Sequence, residues 1–129
     1  MRYIFYAYPI FKKVSFTYIA EQHVEQLRKY FKVEVIDENS LPFLGGILRP
    51  FILIQPYFYP FQKYEKKLQK RIHRWKGIIG VDVADSNKIS KYAVHLTSYA
   101  NAIIVPSTFA KNSYVNSGVK KPVYVVPHG

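Results

Sequence analysis

At 129 residues the chain has the size of one domain, and hydrophobic residues (49%) outweigh charged ones (21%), which excludes a disordered or low-complexity polymer. The absence of cysteine excludes a disulfide framework, a thiolate metal site and a cysteine nucleophile. A formal charge of +11 points to an anionic partner: nucleic acid, a phosphorylated substrate or an acidic membrane surface.

In chain order, Arg2 to Tyr8 is aromatic and β-branched, stops at Pro9, and predicts a buried strand rather than a secretory leader. Phe11 to Ser15 forms a loop with Ser15 placed to cap a helix, on which Phe16, Ala20, Val24, Leu27 and Phe31 recur at helical spacing. Lys32 to Asp37 alternates as a second strand, Asn39 to Gly46 is a loop, and Phe51 to Gln55 is a third strand. The uniformly apolar third strand suits a sheet covered on both faces. Phe61 to Lys76 predicts a helix with Phe61, Tyr64, Leu68, Ile72 and Trp75 on one side.

A fourth strand follows at Gly77 to Val83. Asp85 or Ser86 can cap a helix bearing Ile89, Tyr92, Ala93, Leu96 and Ala100. Ala102 to Val105 is a fifth strand, Ser107 caps the next helix, Gly118 stands just past its end, and Val123 to Val126 is a sixth strand. Strands alternating with helices mean βαβ units. The expected fold is therefore an α/β, Rossmann-like three-layer domain spanning 1–129, with a mostly parallel sheet of about six strands.

Ligands of such sheets sit at the carboxyl ends of the strands. The loop Pro9 to Ser15 has no glycine, which excludes the dinucleotide fingerprint and the Walker loop. Asp82 and Asp85 lie at the end of the fourth strand, where a carboxylate could serve as a general base or simply cap a helix or pair with a lysine. Ser107 can cap its helix or help it hold an anion. His23, His73 and His95 lack partners at metal-ligand spacing, while His128 follows a strand at the ligand edge.

The predicted helix at 61–76 is strongly basic. Lys63, Lys66, Lys67, Lys70, Arg71, Arg74 and Lys76 oppose Glu65 alone, a net +6 in 14 residues. Such a face can lie in water, or hold the protein to an anionic membrane at about 1 kcal/mol per cation. Nucleic-acid phosphates would use the same charges, but no RNP, KH or zinc-finger pattern accompanies them.

The stretch Gly77 to Gly129 resembles the end of the N-terminal domain of retaining, glycogen-synthase-like glycosyltransferases of the GT-B fold. The residues that carry the likeness are Asn101-Ala102-Ile103-Ile104-Val105-Pro106-Ser107, then Gly118, then Val123 to Gly129. The resemblance implies the acceptor-side half of a two-domain hexosyltransferase that moves a sugar from a nucleotide-sugar donor to a sugar or lipid-linked acceptor. The donor would bind mainly to a C-terminal domain carrying paired glutamates, which these residues do not include. The half present would then be inactive alone, need no cofactor or metal of its own, and work in the cytoplasm, perhaps peripherally on the inner face of the membrane.

On this resemblance Asp82 is the candidate catalytic residue, and Ser15, Asp85, Ser107 and His128 are candidates for lining the acceptor cleft. Lys63, Lys66, Lys67, Lys70, Arg71 and Arg74 are candidates for membrane or anion binding. The sequence departs from the family in the glycine-free first loop, in Asp82 where histidine is frequent, and in Asn101 where aspartate is common. The competing class is a non-catalytic Rossmann-like domain that binds nucleic acid or anionic lipid through the basic helix.

Overall fold

Strand-forming runs and amphipathic helices alternate along the chain in a computed structural model that describes residues 3–44, 49–82 and 88–127. The strands are β1 (Tyr3–Tyr8), β2 (Lys32–Asp37), β3 (Phe51–Ile54), β4 (Gly77–Val81), β5 (Ala102–Val105) and β6 (Val123–Val125). The helices are α1 (Ser15–Leu27), α2 (Phe58–Gln69), α3 (Lys91–Thr97) and α4 (Thr108–Asn116), with 3-10 turns at Glu38–Phe43 and Ile72–Arg74. All five pairings are parallel and the order is β2-β1-β3-β4-β5-β6, so the sheet is parallel throughout and its order reverses between β1 and β3.

Two hydrophobic clusters sit on the two faces. Ile4, Tyr6, Tyr8, Val33 and Leu53 pack with Ala20 and Val24 of α1. On the opposite face Ile52, Ile54, Ile78 and Ile103 pack with Phe61 and Leu68 of α2, Leu96 of α3, and Ala110 and Tyr114 of α4. Three tyrosines, Tyr6, Tyr57 and Tyr114, are fully buried, which puts much of the chain's aromatic excess into its core. Tyr57 can lie flat on the sheet because β4 has a glycine there: a Cβ on Gly80 would come within 2.6 Å of the Tyr57 ring. The Tyr57 hydroxyl donates to the Leu96 carbonyl at 2.6 Å, so burial leaves no polar cost.

Four local expectations change. First, the helix expected over 61–76 starts earlier, breaks at Tyr64 (φ −127°, ψ 23°) and ends at Gln69, followed by the separate turn Ile72–Arg74. Like charges stand four apart at Lys63 and Lys67, Lys66 and Lys70, and Lys67 and Arg71. Such pairs destabilise a helix, and the break still lets Trp75 turn into the core. Second, Ser15 does not cap α1. Val14 holds that position, while the Thr17 hydroxyl donates to the Pro9 and Lys12 carbonyls and ties the loop down, leaving Ser15 exposed as the first helical residue.

Third, α3 is capped by Ser90, whose Oγ accepts the Ala93 amide at 3.0 Å, rather than by Asp85 or Ser86, which lie outside the described residues. Fourth, the loop after β2 is a 3-10 turn begun by Asp37, whose carboxylate accepts the Asn39 amide at 3.1 Å. The remaining caps follow expectation. Ser107 Oγ accepts the Ala110 amide at 3.1 Å, and Gly118 leaves α4 at φ +102°, where a Cβ would be strained although it would touch nothing.

Candidate functional site at the carboxyl edge

In a doubly wound sheet the two strand directions diverge at the order reversal and open a crevice at the carboxyl ends. Here the reversal lies between β1 and β3, and three connections meet around it. The loop after β1 brings Lys12, the turn after β2 brings Glu38 and Asn39, and α2, which follows β3, brings Tyr59, Lys63 and Tyr64. Lys12 and Lys63 approach the Tyr59 ring, their ammonium nitrogens 5.5 and 5.7 Å from its centroid. Lys63 also donates to Asn39 Oδ1 at 3.2 Å, and the Tyr64 hydroxyl donates to the same oxygen at 2.9 Å. The Tyr64 hydroxyl beside Lys63 holds its ammonium above the usual lysine range. Two cations, an aromatic face and an amide thus share one rim, an arrangement suited to an anionic or hydroxyl-rich ligand.

Glu38 sits beneath that rim, buried, and its Oε2 has no hydrogen-bond partner among the described residues. Burial, reinforced by the Asp37 charge, pushes its carboxyl up to about 7, against the pull of Lys12 and Lys63. A carboxyl poised near neutrality can give or take a proton at working pH. Glu38 was not among the sequence candidates. The available signal was the acidic pair Asp37-Glu38 directly after a strand, at the same edge as the loops that were considered.

The raised value also makes a stability prediction. The folded state keeps the proton to higher pH than the unfolded chain, so the stability associated with protonated Glu38 is present below about 4.5 and lost as pH rises through about 7. Glu38→Gln should remove that loss. Urea midpoints measured from pH 4.5 to 8 should show wild type falling relative to the variant over this range, and parallel curves would place Glu38 in water.

Asp82 lies at the end of β4, buried, with its amide donating to the Ile104 carbonyl at 3.0 Å. Its Oδ2 accepts the Phe58 amide at 3.3 Å, at the start of α2, whose own N-cap Tyr57 offers no side-chain bond. Asp82 therefore caps α2 from a neighbouring strand. The Tyr114 hydroxyl is buried without a hydrogen-bond partner among the described residues. Burial, then the Asp82 charge, pushes that phenol well above its usual range.

Ser107 follows β5, the strand next to that of Asp82, and Ser15 is exposed near the start of α1, on the same edge. Asp85 and His128 lie outside the described residues. Of the basic group, Lys63 joins the rim, whereas Lys66, Lys67 and Lys70 continue along α2, and Arg71 and Arg74 lie in the turn beyond it. Among the described residues no group of three or more His, Asp or Glu side chains is placed to hold a metal ion.

Two further polar clusters explain histidines. The Tyr6 hydroxyl donates to Gln55 Oε1 at 2.9 Å and lies 2.8 Å from His23 Nδ1, so that nitrogen carries the proton and donates to the tyrosine oxygen. On the outside, Glu65 accepts the Tyr99 hydroxyl at 2.6 Å and the Tyr92 hydroxyl at 2.9 Å, and His95 Nε2 stands 2.7 Å from its Oε2. These partners, Tyr99 first, hold the Glu65 carboxyl below the usual range. The one acid of the basic segment is thereby turned toward α3, away from the lysines.

Comparison with known proteins finds one similarity among curated sequences. Uncharacterized protein 356 of Sulfolobus islandicus rod-shaped virus 1 is 34% identical over 130 residues. The match takes in 97% of this chain and 36% of the viral protein, so the chain spans about a third of that relative's length. No protein-family model matches the chain, and no solved structure matches it.

Proposed function

We propose that residues 1–129 are the acceptor-side domain of a GT-B glycosyltransferase that moves a sugar from a nucleotide-sugar donor to an acceptor. The observation that carries this is the run from β4 to β6. Buried Asp82 ends β4, the Ser107-capped α4 follows β5, and Gly118 takes a left-handed turn toward β6, so the resembling segment delivers its loops to one edge of a parallel sheet. The rim of Lys12, Asn39, Tyr59 and Lys63 offers polar and aromatic surface for an acceptor on that edge, and Glu38 offers a titrating carboxyl beside it. The viral relative has roughly two thirds of its length beyond the match, room enough for a donor domain.

The test is the protein made from the uninterrupted reading frame, incubated with UDP-, GDP- and ADP-linked hexoses. Donor turnover that requires a second α/β domain with paired glutamates supports the proposal. A reading frame without a second α/β domain overturns it.

The surface of α2 favours attachment to an anionic membrane as a companion property. Lys67 lies 5.8 Å over the ring of Phe43, which is 70% exposed, and Lys63 lies over Tyr59, which is 39% exposed. Cations alternating with exposed rings match a lipid headgroup layer, where rings enter the interface and ammonium groups meet phosphate. Among the described residues no helix is long and apolar enough to cross a membrane. Replacing Lys66, Lys67, Lys70 and Arg71 together by Glu should reduce co-sedimentation with phosphatidylserine vesicles at least tenfold, as should high salt. Retention equal to wild type would make this face a solvated one.

A further inference from the structure

The two faces of the sheet are covered unequally, and the chain order explains why. Right-handed crossovers put the β1-to-β2 connection on one face, and the connections β3-to-β4, β4-to-β5 and β5-to-β6, which step the other way, on the opposite face. Consequently α1 stands alone on its side. No connection between β3 and β6 can bring a helix to the α1 side of β4, β5 and β6.

The residues on that uncovered side are nonetheless apolar. In register they are Val81, Ile104 and Tyr124 across β4, β5 and β6, with Ile79 and Ala102 one step earlier and Val126 beyond the end of β6. Tyr124 is 57% exposed and Val126 43%. The same sheet shows what this chain places at uncovered strand positions: on β2 the exposed residues are Lys32 and Glu34. Between α1 and the apolar side runs a trough of about 590 Å³, with Leu53, Val81 and Ile104 in its lining and Val126 and Pro127 beside them. Its helical wall carries Gln22, Glu25 and Gln26.

We propose that this trough is the seat of an amphipathic helix contributed by the same polypeptide outside residues 1–129, lying beside α1. Parallel strands apolar on both faces belong to sheets covered on both faces. From β4 to β6 is two strand spacings, about 10 Å, the width of one helix. The relative with two thirds of its length outside the match shows that a chain of this kind has polypeptide to supply it. The helix would present an apolar stripe to Ile104 and Tyr124 and a Lys or Arg to Glu25. The proposal concerns sheet cover and stands whether or not the protein transfers sugars.

The test exploits the absence of cysteine from these residues. Tyr124→Cys and Val126→Cys, both at exposed positions and so harmless to folding, are introduced singly into the product of the uninterrupted reading frame. Val115→Cys, 51% exposed on α4, is the control. Maleimide labelling is read at each site by peptide mass spectrometry. Labelling at 124 and 126 at least tenfold slower than at 115, independent of protein concentration, is the expected result. Equal rates overturn the proposal, as does a reading frame that ends at residue 129. Protection that disappears on dilution also overturns it, in favour of a second copy on the same face.

Discussion

Phe61→Ala should cost about 3–5 kcal/mol of stability, the range for removing a large aromatic ring from a packed interior. Phe61 is fully buried on α2, its ring 4.8 Å from that of Tyr57 and stacked on Tyr99 at 5.3 Å with an 11° interplanar angle. Its removal leaves a cavity between α2, α3 and the sheet, and collapse is resisted because Tyr57 is fixed by its bond to Leu96. A domain of this size has roughly 5–15 kcal/mol in all, so the variant should unfold at a much lower urea concentration with an unchanged slope. Phe61→Leu retains most of the volume and should lose far less. A midpoint for Phe61→Ala close to wild type would mean that α2 is not part of the cooperative core.

Asp82→Asn should lower sugar transfer by the two-domain enzyme about 100-fold or more, if Asp82 handles a proton at the reaction centre. The substitution separates chemistry from structure. Asparagine keeps a side-chain carbonyl that can accept the Phe58 amide, so α2 remains capped and the unfolding midpoint should move little. It cannot take up a proton. Asp82→Ala loses the cap as well and should cost about 1 kcal/mol in addition. Wild-type turnover in Asp82→Asn would reduce the residue to its capping role.

The strands were legible because β-branched and aromatic runs are bounded by proline or glycine, and the helices because their apolar residues recur at helical spacing. Local pattern could not reveal the contacts made between distant elements. Asp82 looked like a catalytic acid or a local cap, yet its recorded bond is to an amide 24 residues earlier. Asn101, read as a departure from a family aspartate, has a structural task here: its Oδ1 accepts the Ile78 amide at 2.9 Å while its own amide donates to the Ile78 carbonyl at 2.8 Å. Glu38 was overlooked because a carboxylate after a strand looks solvated until the turn Glu38–Phe43 folds Leu41 and Pro42 inward and takes Glu38 with them. The break in α2 reflects a competition between hydrophobic periodicity, which favoured one long helix, and like-charge repulsion, which did not.

The strand order also sets a timetable for the ribosome. From β3 onward each new strand docks beside the one made just before it, so the sheet can lengthen in the order of synthesis. The costly step comes early, when β3 passes over β2 to pair with β1, bringing Ile4 to Phe51. Once that loop has closed, every later addition is a local βαβ unit with a template waiting. A nascent chain arrested before Ile54 should therefore remain open to protease, while one arrested after β4 should already resist it.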